Sequence, residues 1–60
     1  MASRNLKTAE AAELAGMPES TMRYFRHVGR GPKSFKLGRS VRYAEEDVLA
    51  WIEAARQESA

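Results

Sequence analysis

A mainly α-helical domain with a small β-hairpin is predicted for these 60 residues, on three observations. Residues 8–27 hold two short stretches with apolar residues at helical spacing, separated only by Gly16, Met17 and Pro18. The segment SFKLGRSVRY alternates apolar and polar residues about a glycine, which is the period of a strand. Residues 44–57 place Val48, Trp51, Ile52 and Ala55 on one stripe of an α-helix.

A chain of 60 residues makes one domain, and at that size folding buries only about 60% of the surface the unfolded chain exposes. The core is therefore small. Cysteine is absent, so neither a disulfide framework nor a thiolate metal site supplements it. No apolar run nears the roughly 18 residues of a membrane span or the roughly 7 to 15 of a signal segment, which points to a soluble protein of a reducing compartment. The net charge of +2 conceals a segregation. Up to Pro18 the charges cancel. From Glu19 to Tyr43 seven cations (Arg23, Arg26, Arg30, Lys33, Lys36, Arg39, Arg42) stand against one anion, and from Ala44 onward five acids (Glu45, Glu46, Asp47, Glu53, Glu58) face only Arg56. A merely solubilising surface intersperses the two signs. A basic stripe beside an acidic end is the footprint of a domain that binds a polyanion with one face and holds another away from it.

Residues 1–5 read as a frayed leader, with Leu6 the first residue to pack. Thr8 suits the N-cap of the first helix, its hydroxyl accepting from a first-turn N–H, and Glu10 lies at the positive end of the helix dipole. Ala11, Leu14 and Ala15 define the buried side, the alanines permitting close helix approach. Gly16 ends this helix in a left-handed conformation and Pro18 opens the next. So short a break forces a large angle between the helices, which makes a helix-turn-helix. In the second helix Met22, Phe25 and Val28 face inward, whereas Glu19, Ser20, Arg23, Tyr24, Arg26 and His27 face outward. Gly29, Gly31 and Pro32 stop it.

Two registers compete for the hairpin. A three-residue loop of Gly38, Arg39 and Ser40 pairs Leu37 with Val41, Lys36 with Arg42 and Phe35 with Tyr43, gathering the four apolar residues on one face. A two-residue loop sets Phe35 opposite Arg42 and breaks that pattern, although glycine at the first loop position suits its type II′ turn. Patterning is taken over turn type. Lys36 and Arg42 then oppose each other on the exposed face, a like-charge pair that a nearby phosphate relieves. The third helix, Ala44 to Gln57, opens with Glu45, Glu46 and Asp47 where its dipole favours anions, and carries Leu49 at the edge of its apolar stripe. Trp51, the largest apolar side chain, is expected as the keystone of the core, against Phe25, the hairpin and the first helix. Gln57 to Ala60 read as a disordered tail. The sum is a single winged helix-turn-helix domain over residues 1–60 with an ordered core of about 6–57.

Catalysis finds little support. His27 has no second histidine or cysteine to share a metal and no Asp or Glu one helical turn away, so it reads as a solvent-facing residue or a minor phosphate contact. The glycines match no phosphate-binding loop, so no enzyme and no cofactor are expected. DNA binding is better served. Glu19, Ser20, Arg23 and Arg26 are types that read base edges: arginine pairs bidentately with guanine, glutamate accepts from cytosine N4, and serine is permissive. The Tyr24 hydroxyl suits a phosphate oxygen at the groove wall. Around the hairpin Lys33, Lys36, Arg39 and Arg42 track the adjacent backbone, with Arg39 at the tip entering the minor groove.

The stretch TMRYFRHVG followed by GRSVRYAEEDVLAWI resembles the small winged-helix excisionases of phages, or recombination directionality factors, and more broadly the MerR-like and AlpA-like DNA-binding domains. The likeness runs from about Leu6 to Arg56, carried by Thr21 through Phe25, the Gly38 hairpin with Arg42 and Tyr43, and Asp47 with Trp51. It implies a second helix in the major groove and a wing in the neighbouring minor groove, Arg23 and Tyr24 matching the DNA-contacting arginine and aromatic, Phe25 and Val28 core positions. Pro18 stands where relatives commonly place a capping serine. MerR-type regulators continue into a long dimerising helix and an effector domain, for which this sequence has no counterpart, so the excisionase comparison is the nearer. It implies cooperative binding to adjacent sites, DNA bending, and redirection of a phage integrase towards excision. The partners expected are double-stranded DNA, a phage integrase, and neighbouring protomers head to tail, the acidic start of the third helix against basic residues of the next. Neither a membrane nor a small-molecule effector is expected, and the setting is DNA in the cytoplasm of a bacterial host cell. A small AlpA-like or MerR-like transcriptional regulator shares every residue argument. A protein-binding module, its basic stripe on an acidic partner, is the remaining reading.

Overall fold

Both helices of the helix-turn-helix end on a left-handed glycine, and the same pair of hydrogen bonds closes each. The computed structural model describes residues 4–59, in the order β1 (Asn5–Lys7), α1 (Thr8–Ala15), α2 (Glu19–His27), β2 (Phe35–Leu37), β3 (Ser40–Ala44) and α3 (Glu45–Ser59). After α1, Gly16 adopts φ 73°; its N–H bonds Glu13 O at 3.1 Å and the Met17 N–H bonds Ala12 O at 3.0 Å. After α2, Gly29 adopts φ 74°; its N–H bonds Arg26 O at 3.2 Å and the Arg30 N–H bonds Phe25 O at 2.9 Å. Each is a Schellman closure, which satisfies carbonyls that a helix end otherwise leaves bare. Pro18, extended at φ −64° and ψ 151°, stands at the N-cap of α2, and its carbonyl accepts from Thr21 and Met22 at 3.0 and 3.2 Å. A proline loses nothing there, because that N–H has no helical partner.

The sheet has three strands, ordered β1-β3-β2, where the sequence predicts two. β1 pairs with β3 antiparallel, Asn5 opposite Ala44, Leu6 opposite Tyr43 and Lys7 opposite Arg42; the Glu45 N–H bonds Arg4 O at 2.9 Å. Asn5 is thus part of the sheet rather than of a frayed leader, while residues 1–3 lie outside the described residues. Because Lys7 is extended, it takes the N-cap position of α1 and Thr8 becomes the first helical residue. The Glu10 carboxylate accepts from the Lys7 N–H at 2.8 Å, satisfying one first-turn donor as a capping box does. The hairpin takes the two-residue loop. Phe35 faces Arg42, Lys36 faces Val41 and Leu37 faces Ser40, with Gly38 at φ 67° and no positive φ at Arg39. That is the type II′ pattern: the turn wins over the apolar patterning, since the left-handed glycine fixes the strands one residue earlier than the three-residue loop allows.

Leu6, Ala11, Ala12, Met22, Tyr43 and Val48 form the buried core, with Ala15, Met17, Val41, Trp51 and Ile52 packed against it. The buried side of α1 is therefore Ala11 and Ala12, and Leu14, expected inside, is 39% exposed. Leu6 of β1 is in the core in its stead, and Leu14 lines the cleft beside it. Val28 is exposed at 42%, because the chain leaves the helix there. Tyr43, fully buried, is the largest enclosed side chain and takes the place expected of Trp51. Its hydroxyl has no hydrogen-bond partner. Trp51 is half-buried at the rim, edge-on to Phe25 with ring centroids 5.7 Å apart, and its indole N–H donates to Arg30 O at 2.9 Å. A half-wet position lets that N–H reach the loop carbonyl, which burial in the core forbids. α3 keeps Val48 inside and exposes Leu49 and Ala55. It continues through Gln57, Glu58 and Ser59, expected to be disordered, while Ala60 lies outside the described residues. Among the described residues no helix is long and apolar enough to cross a membrane.

Candidate nucleic-acid interface

The rotation of α2 is fixed from inside. Met22 is fully buried and Phe25 leans on the Trp51 edge, so residues 19, 20, 23, 24, 26 and 27 are turned outward by the helical repeat. Ser20, Arg23, Arg26 and His27 are exposed and Glu19 is half-exposed. Tyr24 is 61% exposed, its ring centroid 6.0 Å from that of Phe25. Glu19 and Arg23, one turn apart, form an ion pair along the exposed face.

A concavity of about 230 Å³ separates α2 from the sheet, lined by Thr8, Arg23, Arg26 and Val41. Directly opposed residues of an antiparallel pair share a face, so Lys36, opposite Val41, sits on the side of the sheet that looks towards α2. Arg39 is exposed at the hairpin tip and Lys33 in the loop before β2. Arg23 and Arg26 thus line one hollow between a helix and a wing, and Lys36 lies on the face of the wing that borders it.

Arg42 does not join them. The two-residue loop turns it to the outer face of the sheet, opposite Phe35 on one side and Lys7 on the other. There it is half-buried and donates to Val41 O at 3.3 Å. The expected pairing of Lys36 with Arg42 is absent for that reason, and the like-charge pair that does exist is Lys7 with Arg42. Lys7 escapes the sequence reading because β1 is three residues long, too short to display a period of two, and Thr8 is read there only as a helix cap.

Apart from Glu19 on α2 and Asp47 beside Lys33, the acids lie elsewhere. Glu10, Glu13 and Glu45 line a cleft of about 360 Å³ with Arg4, Leu6 and Leu14, between α1, β1 and the start of α3. Further along α3 the Arg56 guanidinium, and after it the Gln57 amide, hold the Glu53 carboxyl below its ordinary value. Among the described residues no His, Asp and Glu gather as a metal site.

An exposed helix of base-reading residue types beside a cationic wing is suited to duplex DNA, since arginines at a groove edge recognise guanine and those beside it neutralise phosphates. No curated protein is similar enough to this chain to be matched with it. A family model, that of the helix-turn-helix domain, matches residues 6–56; the family includes small excisionase-like and AlpA-like DNA-binding proteins and is typically non-enzymatic. Its members bind double-stranded DNA, and with most of its length inside the match this chain belongs to the helix-turn-helix domain family.

Proposed function

We propose that this protein is an excisionase: a sequence-specific, DNA-bending factor that binds adjacent sites cooperatively and directs an integrase towards excision. The observation that carries the DNA part is the hollow between α2 and the wing, lined by Thr8, Arg23, Arg26 and Val41 with no acid among them, and bordered by the wing face that carries Lys36. On this reading Arg23, Arg26, Glu19 and Ser20 meet base edges in the major groove, Tyr24 holds a phosphate at the groove wall, and Lys33, Lys36, Arg39 and Arg42 track the adjacent backbone, with Arg39 at the tip entering the minor groove. The domain spans residues 1–60 and works by binding alone, without cofactor or effector, on DNA in the cytoplasm of a bacterial host.

The recombination role is supported by the resemblance to excisionases and by the separation of charge. The acidic start of α3, Glu45 to Asp47, offers a cationic side chain of a neighbouring protomer a head-to-tail contact, which is heterologous and leaves an open row of subunits. Exposed ion pairs contribute only about 0 to 1 kcal/mol each, and bending a site costs on the order of 1 to 6 kcal/mol. Several protomers must therefore act together.

Two measurements test the proposal. With about five phosphates neutralised, log K for duplex DNA falls with log salt at a slope of roughly −4.5; a flat dependence ends the DNA reading. Circularly permuted fragments carrying adjacent sites should migrate with a strong phased bend. Tight binding without a bend points instead to a small transcriptional regulator of the AlpA or MerR kind.

A further inference from the structure

We propose that the outer face of the three-stranded sheet is a second surface for a DNA phosphate backbone, with Lys7 as a contacting residue. The inference rests on the DNA-binding reading above and adds a face and a residue to it. Lys7, Arg42 and Phe35 form one row across β1, β3 and β2, each directly opposite the next, so all three side chains emerge on the same side. Leu6 and Tyr43 point the other way, into the core. Among the described residues this side is open: Lys7 is exposed, Phe35 and Leu37 are 40% and 53% exposed, and Arg42 is half-buried.

Like charges facing each other across strands destabilise a sheet. Here neither cation has a carboxylate partner among the described residues. The nearest acid in sequence, Glu10, spends its carboxylate on the Lys7 backbone N–H. A bound anion converts that repulsion into two attractions. The flanking Phe35 and Leu37 narrow the choice of anion, because a free phosphate gains nothing from apolar neighbours. A nucleic-acid backbone alternates phosphate with the apolar edge of a sugar. The hollow lined by Thr8, Arg23, Arg26 and Val41 lies on the opposite side of the same sheet, so the two cation sets reach different phosphates. The wing is accordingly held between two backbones, the strands that bound one groove.

The test is Lys7→Gln, assayed on a short duplex with a single site, chosen by selection with the wild-type protein so that cooperativity plays no part. One lost phosphate contact flattens the salt slope by about 0.9 and lowers affinity about eightfold at 0.1 M salt, leaving the ranking of base substitutions unchanged. The melting temperature should equal or exceed that of the wild type, most clearly in low salt, and Lys7→Arg should retain wild-type affinity. A second variant adds charge to the same face: Leu37→Lys should steepen the slope by about 0.9. Unchanged slopes in both variants overturn the proposal, as does a Lys7→Gln defect confined to two-site cooperativity, which assigns this face to a neighbouring protomer. Arg23→Ala separates the two readings. If it weakens binding while Lys7→Gln and Leu37→Lys do nothing, the DNA reading stands and the second surface falls; if the wild type shows no salt-dependent affinity, both fall.

Discussion

Arg23 is held on the exposed face of α2 by very little. Its ion pair with Glu19 joins two side chains that solvent reaches, and such pairs contribute about 0 to 1 kcal/mol, so exchanging the carboxylate for a base edge or a phosphate costs little. Glu19→Ala should leave the unfolding free energy within about 1 kcal/mol of wild type yet change the sequences recovered by selection from random duplexes. Recovery of the same sequences removes Glu19 from base recognition. Tyr43 is the converse case, deeply fixed but carrying a hydroxyl without a partner. An unsatisfied buried polar group costs roughly 1 to 3 kcal/mol. Tyr43→Phe should therefore raise stability by about 1 kcal/mol in chemical denaturation, and a loss of that size shows instead that the hydroxyl is satisfied in solution.

The hairpin is decided by its turn. Gly38 at φ 67° places Leu37 opposite Ser40 and outside, so Leu37→Thr should cost less than about 1 kcal/mol. The three-residue loop buries Leu37, and truncating a core leucine costs about 2 to 5 kcal/mol. Equilibrium unfolding of this single variant thus chooses the register. In α3 the Glu53 carboxyl is depressed by Arg56 and Gln57. A depressed carboxyl stabilises above its ordinary value and loses that contribution as pH falls through the lowered one. The last turns of α3 should therefore exchange their amides faster on acidification below about 4.5, the ordinary value, and Glu53→Gln should abolish this dependence. The three helices were legible because each carries several turns of periodicity and a glycine or an acidic start to mark its ends. β1 was not, for three residues hold no period and its partner lies at the far side of the sequence. The hairpin register was misread because four apolar residues suggested one buried face, when a three-residue strand at the sheet edge can leave two of them wet.

Across the whole molecule, charge is divided by geometry as well as by sequence. The cations rim the hollow and the outer sheet, and three acids share the cleft of α1, β1 and α3. Composition revealed the segregation, but only the fold shows that Arg42 and Lys36 occupy opposite sides of one wing and that Lys7 joins the first. The charge-reversed Glu45→Lys should reduce cooperative filling of adjacent sites while leaving single-site affinity within about twofold, as gel shifts on one-site and two-site fragments will show. Equal loss on both fragments, or none on either, rules out the head-to-tail contact.

β3 is the middle strand, and one of its neighbours comes from the start of the chain, Leu6 against Tyr43. That pairing joins distant parts of the sequence, and the helices between them, of eight and nine residues, are too short to persist alone, so the sheet has to close for the whole domain to hold. A bulky fusion joined ahead of Asn5 consequently loads the same strand that carries Arg42, and moving it to the opposite end of the chain spares the wing.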